Sequence, residues 1–175
     1  MESILNRRSI RKFTPEPVTN DQITQLLKAA MAAPSAQNQQ PWQFVVIDDR
    51  EILSKIPEFH PYSKMLFKAP VAILVCADKE KIQRDMLWPQ DCSAATQNIL
   101  VAITSLGLGG VWLGVYPIDI RMDGLTKLLN LPEKIIPFSL IALGHPDEIK
   151  PPSNRYDESR IHHNIWGNSF NGFAT

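Results

Sequence analysis

The sequence carries no net charge and lacks the features that identify several classes of protein. Its 18 basic residues equal its 18 acidic residues, so no overall field favours binding to nucleic acid. No apolar run approaches the roughly 18 residues that a transmembrane helix needs. The charged N-terminal residues are not followed by the apolar core of a signal peptide. We therefore expect a cytoplasmic protein with neither a membrane nor a nucleic-acid partner.

Cysteine is scarce, and the common short catalytic motifs are missing. Cys76 and Cys92 are the only cysteines, and neither belongs to a Cys-x-x-Cys pair, so we predict two buried, reduced thiols. His162 and His163 are adjacent and have no further ligand at helical spacing, so no metal site is expected. The chain contains no Gly-x-Ser-x-Gly, no P-loop and no Gly-x-Gly-x-x-Gly, which argues against a serine hydrolase and against Rossmann-type phosphate binding.

Helical and extended patterns alternate along the chain, which at 175 residues and 44% hydrophobic content suits a single domain over residues 1–175. Thr19 and Gln22 form the sequence signature of a capping box, and Pro34 ends the helix that follows. β-Branched and apolar runs indicate the strands. The predicted strands are 42–48, 71–78, 138–144 and a short strand or turn at 111–116; the predicted helices are 19–33, 51–56, 92–106 and 123–131.

The helix predicted over residues 92–106 is apolar around most of its circumference. Small residues such as Ala94 and Ala95 lie among larger ones such as Ile99 and Ile103. A helix with this distribution is buried nearly all round. In a domain of this size, that indicates either a central helix or a helix packed against a second subunit.

The segment RRSIRKF, residues 7–13, concentrates positive charge in a neutral protein. Arg7, Arg8, Arg11 and Lys12 place four cations within six positions. One interpretation is a solvated first turn; a nucleic-acid arm is disfavoured by the neutral net charge. The other is a phosphate site, because a planar guanidinium donates paired hydrogen bonds to phosphate oxygens and Ser9 adds a hydroxyl donor.

The segment PSAQNQQPW, residues 34–42, is a polar loop between a predicted helix and a predicted strand. A capped turn would explain its polar residues, since such side chains satisfy their own backbone. Its four side-chain amides nevertheless offer more donors and acceptors than a turn requires. Such a loop suits a flat heterocycle with several polar atoms at its edge.

These motifs, in this order, resemble the FMN-dependent nitroreductase family. The family pattern Arg-Arg-Ser-x-Arg-x-Phe occurs at residues 7–13, and Pro-Ser-x-x-Asn-x-Gln-Pro-Trp occurs at residues 34–42. Gln97-Asn98 and Gly-Leu-Gly-x-x-Trp-Leu-Gly follow within residues 94–114. The strand end at residues 142–146 and Arg155 beyond it also resemble the family. The resemblance therefore extends over almost the whole chain.

The resemblance implies an α+β fold in which a mixed central sheet is flanked by helices. It further implies an intertwined homodimer that binds two FMN molecules between its subunits. The helix 92–106 would lie at the dimer interface, which would account for its apolar circumference.

The resemblance also assigns roles to the cationic segment. Arg7 and Ser9 would hold the phosphate and ribityl end of FMN, with Arg8 at the same edge and Arg155 joining from the C-terminal tail. Arg11 would approach the pyrimidine edge near N1 and O2. A fixed cation near N1 stabilises the negative charge of a reduced flavin, so Arg11 would tune the cofactor and no side chain would act as a catalytic acid or base.

Two further groups of FMN contacts are implied by the family pattern. The backbone amides of Leu113 and Gly114 would face N5, the atom that exchanges hydride. Many larger members carry Glu-Gly at these two positions, so a carboxylate role is absent here. The other subunit would contribute Pro34, Ser35, Ala36, Gln37 and Asn38.

The function implied is that of an oxidoreductase that passes hydride from NAD(P)H through FMN to a nitroaromatic, a quinone or a similar acceptor, in a ping-pong cycle. One alternative is a flavin-binding store or sensor that does not turn over. Another is a flavin-destroying or reductive dehalogenating enzyme. The second is disfavoured because such enzymes cover the substrate pocket with a fuller lid, and here only residues 79–90 are available to cover it. The side chains that could line the acceptor side, each also explicable by ordinary packing, are Tyr62, Phe67, Met86 and Trp88.

Overall fold

Four strands form one sheet in the order β1-β2-β4-β3 in the computed structural model, which describes residues 1–170. The strands are β1 Trp42–Ile47, β2 Val71–Asp78, β3 Gly109–Gly114 and β4 Ile135–Gly144. The helices are α1 Glu2–Asn6, α2 Asn20–Met31, α3 Arg50–Lys55, α4 Trp88–Ser105 and α5 Asp119–Leu128. Short 3-10 turns occupy Ala36–Asn38, Ile56–Glu58, Lys64–Phe67, Lys79–Lys81 and Glu158–Arg160.

The predicted α+β fold is confirmed, with one refinement to the sheet. All three strand pairings are antiparallel. The parallel component is a single bridge between Ser9 and Gly110, by which the N-terminal segment lies along the outer edge of β3. Strands β2 and β3, which α4 connects, run parallel to each other on either side of β4, but they are not hydrogen-bonded neighbours. The hydrogen-bonded pairing is therefore parallel only at this bridge.

Two hydrophobic cores cover the two faces of the sheet, which explains the nearly continuous apolar sequence of β2. Alternate residues of a strand point to opposite faces. Ile73 and Val75 belong to the core beneath α2 and α4, whereas Ala72 and Leu74 belong to the core beneath α3 and α5. Because neither face of β2 meets water, the sequence of this strand shows no alternation between apolar and polar residues.

Helix α4 begins at Trp88, four residues before the predicted start, and buries one side against the sheet. Ala95 is fully buried within the chain itself. The opposite side carries Gln97, Val101 and Ser105, which line a groove of about 610 Å³ together with residues of α1 and α2. The sequence predicted that α4 is buried around its whole circumference. Within one chain, the side that faces the sheet is buried, whereas the side that carries Gln97, Val101 and Ser105 lines the open groove.

The capping box of α2 is confirmed. The Thr19 hydroxyl accepts a hydrogen bond from the Gln22 amide at 3.2 Å, and the Gln22 side chain accepts one from the Thr19 amide at 2.9 Å. Cys76 and Cys92 are buried free thiols, as predicted, and burial raises the pKa of each to about 12. None of the helices within residues 1–170 is long and apolar enough to cross a membrane.

Candidate cofactor and substrate site

The cationic segment continues the sheet at the outer edge of β3. The Ile10 amide donates to the Gly110 carbonyl at 3.0 Å, beside the parallel bridge of Ser9. Phe13 then bridges Pro146, just beyond the end of β4 and so level with the start of β3. The segment is therefore parallel to β3 only around Ser9 and then turns away from this edge. Arg7 lies towards the start of β3, whereas Arg11 lines a cavity together with Gly114 at the other end of the strand.

Glu148 and Lys150 hold the backbone of this segment. A carboxylate oxygen of Glu148 accepts hydrogen bonds from the Arg11 amide at 2.5 Å and from the Lys12 amide at 3.3 Å. The bond from the Arg11 amide is the main cause that lowers the pKa of Glu148. Lys150 donates to the Ser9 carbonyl at 2.6 Å and pairs with Glu148 at 3.2 Å. These contacts fix where the side chains of the segment begin.

The arginine side chains of the segment form no ion pair with the residues that the structure describes. Among residues 1–170, no ion pair involves Arg7, Arg8 or Arg11. The carboxylate of Glu148, the acidic residue bound to the segment, accepts hydrogen bonds from backbone amides and pairs with Lys150, and it contacts no guanidinium group of the described residues. Three guanidinium groups are therefore available to an anionic ligand.

Gly114 presents its backbone to the same edge of the sheet. Its carbonyl accepts hydrogen bonds from His60 Nε2 at 2.9 Å and from Arg121 Nη1 at 2.8 Å. Since the N–H and C=O of a strand residue point to the same side, the Gly114 amide also faces away from β4. Leu113 occupies the alternate position, so its N–H is directed towards β4.

His60 is a site residue that sequence reasoning missed. It is only 1% exposed, and burial is the main cause that lowers its pKa, so the ring is neutral at neutral pH. The neutral ring donates from Nε2 to the Gly114 carbonyl, and Nδ1 has no hydrogen-bond partner among the described residues. Nothing in the sequence around an isolated histidine between two prolines indicates this contact.

Two open cavities adjoin this edge, and Arg11 and Met65 line both. The first, which we call the β3 cavity, measures about 450 Å³. The second, the lysine cavity, measures about 680 Å³. The β3 cavity is lined by Arg11, His60, Tyr62, Met65, Trp112, Leu113, Gly114 and Arg121. The lysine cavity is lined by Arg11, Lys12, Phe13, Lys64, Met65, Phe67, Lys68 and Asp147.

The polar loop after α2 has an unusual backbone that a buried carboxylate supports. Gln37, Asn38 and Gln40 have φ values of 51°, 55° and 45°, in the left-handed region. Asp91, on α4, accepts hydrogen bonds from the Ala36 amide at 2.9 Å and from the Gln39 side chain at 2.5 Å. This support explains why a polar residue lies in the first turn of an apolar helix.

We expect Asp91→Asn to destabilise the protein by about 2 kcal/mol, because one of the two donors would then meet an amide N–H group instead of an oxygen. The free energy of unfolding in urea measures this effect. Asp85→Asn, at an exposed position of the preceding segment, is the control and should change stability by less than about 0.5 kcal/mol. Equal losses in the two variants would contradict the supporting role of Asp91.

The polar loop and the cationic segment lie at diagonally opposite corners of the sheet. The register places Gly110 level with Val71 and places Trp42 level with Ala77. Four strand spacings of about 4.8 Å and six residues of about 3.3 Å separate Ser9 from Trp42 by roughly 28 Å. Residues 34–38 lead into the strand that begins at Trp42, and the Ala36 amide is bound to Asp91, so this loop lies at the opposite corner from Arg7 and Ser9 of the same chain.

The remaining predicted residues differ in their surroundings. Arg155 is exposed and has no hydrogen bond or ion pair with the described residues. Trp88 is a packing residue, 6% exposed, whose ring lies 4.7 Å from that of Tyr116. Tyr62 and Phe67 each line one of the two cavities, whereas Met86 is 89% exposed beyond the 3-10 turn Lys79–Lys81.

Comparison with known proteins identifies a consistent set of relatives. The model of the nitroreductase family matches residues 4–60 and 58–145. A protein of Methanothermobacter thermautotrophicus described as "Putative NADH dehydrogenase/NAD(P)H nitroreductase" is 49% identical over 166 residues, which cover 95% of this chain and 87% of that protein. An "FMN reductase" of Bacillus subtilis, whose name specifies NAD(P)H, is 30% identical over 93% of this chain and 72% of its own length.

The fold is likewise similar to that of solved structures. An "FMN-dependent Nitroreductase" from Clostridium difficile R20291 superposes with a TM-score of 0.87 at 32% identity. The superposition covers 95% of this chain and 100% of that chain.

Proposed function

The chain belongs to the nitroreductase family, and on this premise we propose that it is an FMN-dependent oxidoreductase that takes hydride from NAD(P)H and passes it to a small aromatic acceptor such as a nitroaromatic or a quinone. The relatives whose names specify FMN reduction or nitroreduction support the cofactor and the reaction class. Two buried thiols with raised pKa values suit the reducing conditions of the cytoplasm.

One observation carries this proposal: free arginine side chains and an outward-facing amide lie along the same edge of β3. Arg7 lies near the start of the strand, Arg11 lies further along, and Gly114 ends it. From Gly110 to Gly114 the edge is about 13 Å long. An elongated ligand with a phosphate at one end and a heterocycle at the other fits this arrangement of charge.

The residues present fit FMN at both of its ends. Arg7 and Ser9 would hold the phosphate and the ribityl chain, assisted by Arg8, largely through its backbone, and by Arg155 from the tail. When bound, FMN supplies the hydride-transfer chemistry, and the protein supplies position and charge. The outward-facing amide of Gly114 would be the group that contacts N5. His60 and Arg121 hold its carbonyl and thereby fix the orientation of the strand end.

A homodimer completes the site in this proposal. The roughly 28 Å between Ser9 and Trp42 favours a site to which residues 34–38 of one chain and the cationic segment of another contribute. A second copy, related by a two-fold axis, brings Pro34, Ser35, Ala36, Gln37 and Asn38 to that segment. The groove along Val101 of α4 is the apolar surface that the second copy covers.

The decisive experiment is spectroscopic. Purified protein reconstituted with FMN should retain the flavin on gel filtration, lose its 450 nm absorbance on anaerobic addition of NADH or NADPH, and regain it with menadione. Bound flavin that NAD(P)H does not bleach would instead support a flavin store or sensor. A protein that retains no FMN after reconstitution would refute the proposal.

The segment 79–87 bears on the alternative enzymes of the same fold. It contains a single 3-10 turn, Lys79–Lys81, and reaches α4 without forming a helical roof. Met86, near its end, is 89% exposed. An open acceptor side favours a reductase with broad acceptor use over flavin-destroying or dehalogenating enzymes, which enclose their substrates.

We expect Arg11→Gln to lower the two-electron midpoint potential of the bound flavin by about 20 mV. The Arg11 cation stabilises the negative charge that the flavin gains on reduction, and in an open cavity we assign this interaction about 1 kcal/mol. Redox titration of the two proteins measures the difference. Lys12→Gln is the control, because Lys12 does not line the β3 cavity. An unchanged potential in Arg11→Gln would assign Arg11 to another role.

A further inference from the structure

The β3 cavity has a distinctly cationic lining. Two guanidinium groups, those of Arg11 and Arg121, line it together with the neutral ring of His60, and its eight lining residues include no carboxylate. Trp112 and Tyr62 contribute aromatic surface. A lining of this kind matches a small aromatic molecule that carries a negative charge.

Arg121 is held in place at the cavity, and most of its donors are unused. Its Nη1 donates to the Gly114 carbonyl at 2.8 Å, and its guanidinium carbon lies 5.5 Å from the centre of the Tyr62 ring. Among residues 1–170 its remaining N–H groups have no recorded partner, and it forms no ion pair. A guanidinium fixed at one nitrogen and free at the others is prepared to bind a carboxylate.

Close packing keeps Arg121 and His60 in a constant relation. A Cβ atom added to Gly124, three residues after Arg121 on α5, would lie within 2.4 Å of the Phe59 ring. Helix α5 therefore rests directly on the segment that carries His60.

We propose that Arg121 is a specificity-determining residue that selects aromatic acceptors bearing a carboxylate group. This inference rests on the proposed function and names its acceptor class. Arg11 and the Gly114 amide serve the flavin, so the part of the cavity beside Arg121 and Tyr62 remains for the acceptor. A volume of about 450 Å³ suits a one-ring molecule better than a dinucleotide.

The reaction balances with the established reductant. For a nitroaromatic acid, NAD(P)H and one proton reduce the nitro group to a nitroso group, with release of NAD(P)⁺ and water. Two electrons are transferred, and the carboxylate passes through unchanged. Arg121 contacts that carboxylate, and the carboxylate does not react.

The test compares 4-nitrobenzoate with its neutral analogue 4-nitrobenzamide, each reduced by NADH in the FMN-loaded protein. The ratio of their kcat/KM values should fall roughly tenfold in Arg121→Gln, because a charge-assisted hydrogen bond is lost for one acceptor alone. The change in this ratio between wild type and variant is independent of the different intrinsic reactivities of the two acceptors. It is also independent of any general damage at Gly114, because such damage would affect both acceptors equally. Arg121→Lys should restore part of the ratio. Lys127→Gln removes one positive charge elsewhere on α5 and should leave the ratio as in the wild type.

Binding without turnover provides a second measurement. By calorimetry, in the absence of NADH, 4-nitrobenzoate should bind Arg121→Gln about tenfold more weakly than the wild type. An unchanged ratio together with unchanged binding would overturn the inference. The inference would also be overturned if Arg121→Gln lost affinity only for NADPH relative to NADH. That result would assign Arg121 to a phosphate of the reductant. A wild type that reduces neither these compounds nor menadione would refute the proposed function itself.

Discussion

Arg7→Ala should weaken FMN binding by about 1.5–3 kcal/mol, which corresponds to a rise in Kd of about ten- to 150-fold. Arg7 immediately follows α1, is half-buried, and has no ion pair within residues 1–170. No described residue therefore competes for its guanidinium, which in the proposed site donates its hydrogen bonds to the phosphate. Quenching of flavin fluorescence on titration of the apoprotein measures the Kd.

Two comparisons make the Arg7 experiment specific. Lys55→Ala removes an exposed cation at the end of α3 and should leave the Kd unchanged. Riboflavin lacks the phosphate, so its affinity should be nearly equal in wild type and Arg7→Ala. A loss of riboflavin affinity as large as the loss of FMN affinity would show that Arg7 does not act through the phosphate.

Val101→Arg should convert the protein into a monomer or an aggregate and should abolish FMN retention. Val101 lines the groove between α4, α1 and α2, which we assign to the second copy. A guanidinium without a partner in such an interface costs several kcal/mol. In the proposed site, residues 34–38 come from the other copy, so loss of the dimer should also remove their contribution to flavin binding. Light scattering coupled to gel filtration measures the mass, and the absorbance at 450 nm measures the flavin.

The position of Val101 makes this variant a better test than a substitution of Ala95, which is fully buried against the sheet and would disturb folding in any assembly. Val101→Thr is the matched control, because it keeps the shape of the side chain and introduces no charge, so the dimer and its flavin should persist. A well-folded Val101→Arg monomer that binds FMN with wild-type affinity would overturn the assignment of the interface.

Several functional residues could not be predicted because their roles come from contacts distant in sequence. His60 lies 54 residues from the Gly114 carbonyl that it contacts, and Asp91 lies 55 residues from the Ala36 amide. Glu148 reaches the Arg11 amide across 137 residues. Neither hydrophobic periodicity nor a local motif predicts these long-range hydrogen bonds, because each bond depends on which strands become neighbours in the sheet.

The sequence by itself determined the features that arise from local physics. The capping box at Thr19, the strand 71–78 and the cationic segment with its serine follow from spacing, side-chain shape and charge, which act over a few residues. These features sufficed to indicate the family and the cofactor, and they are the basis of the cofactor-binding residues that we propose. The predicted starts of α4 and α5, at residues 92 and 123, were each four residues late. For α4, the buried Trp88 packs its ring against that of Tyr116, a contact that the helical pattern does not contain.

Only the tertiary structure decided how these parts are arranged. Strand order placed the cationic segment beside β3 and the polar loop at the opposite corner, and this separation is the basis of the proposal that a second copy completes the site. The alternation along β3 directed the Gly114 amide outward and the Leu113 amide towards β4. The docking of α5 on the segment before β2 brought Arg121 and His60 to one carbonyl oxygen. The physical reason is the same in each case: a sheet converts distant segments into neighbours, and the backbone then fixes which of their groups can meet.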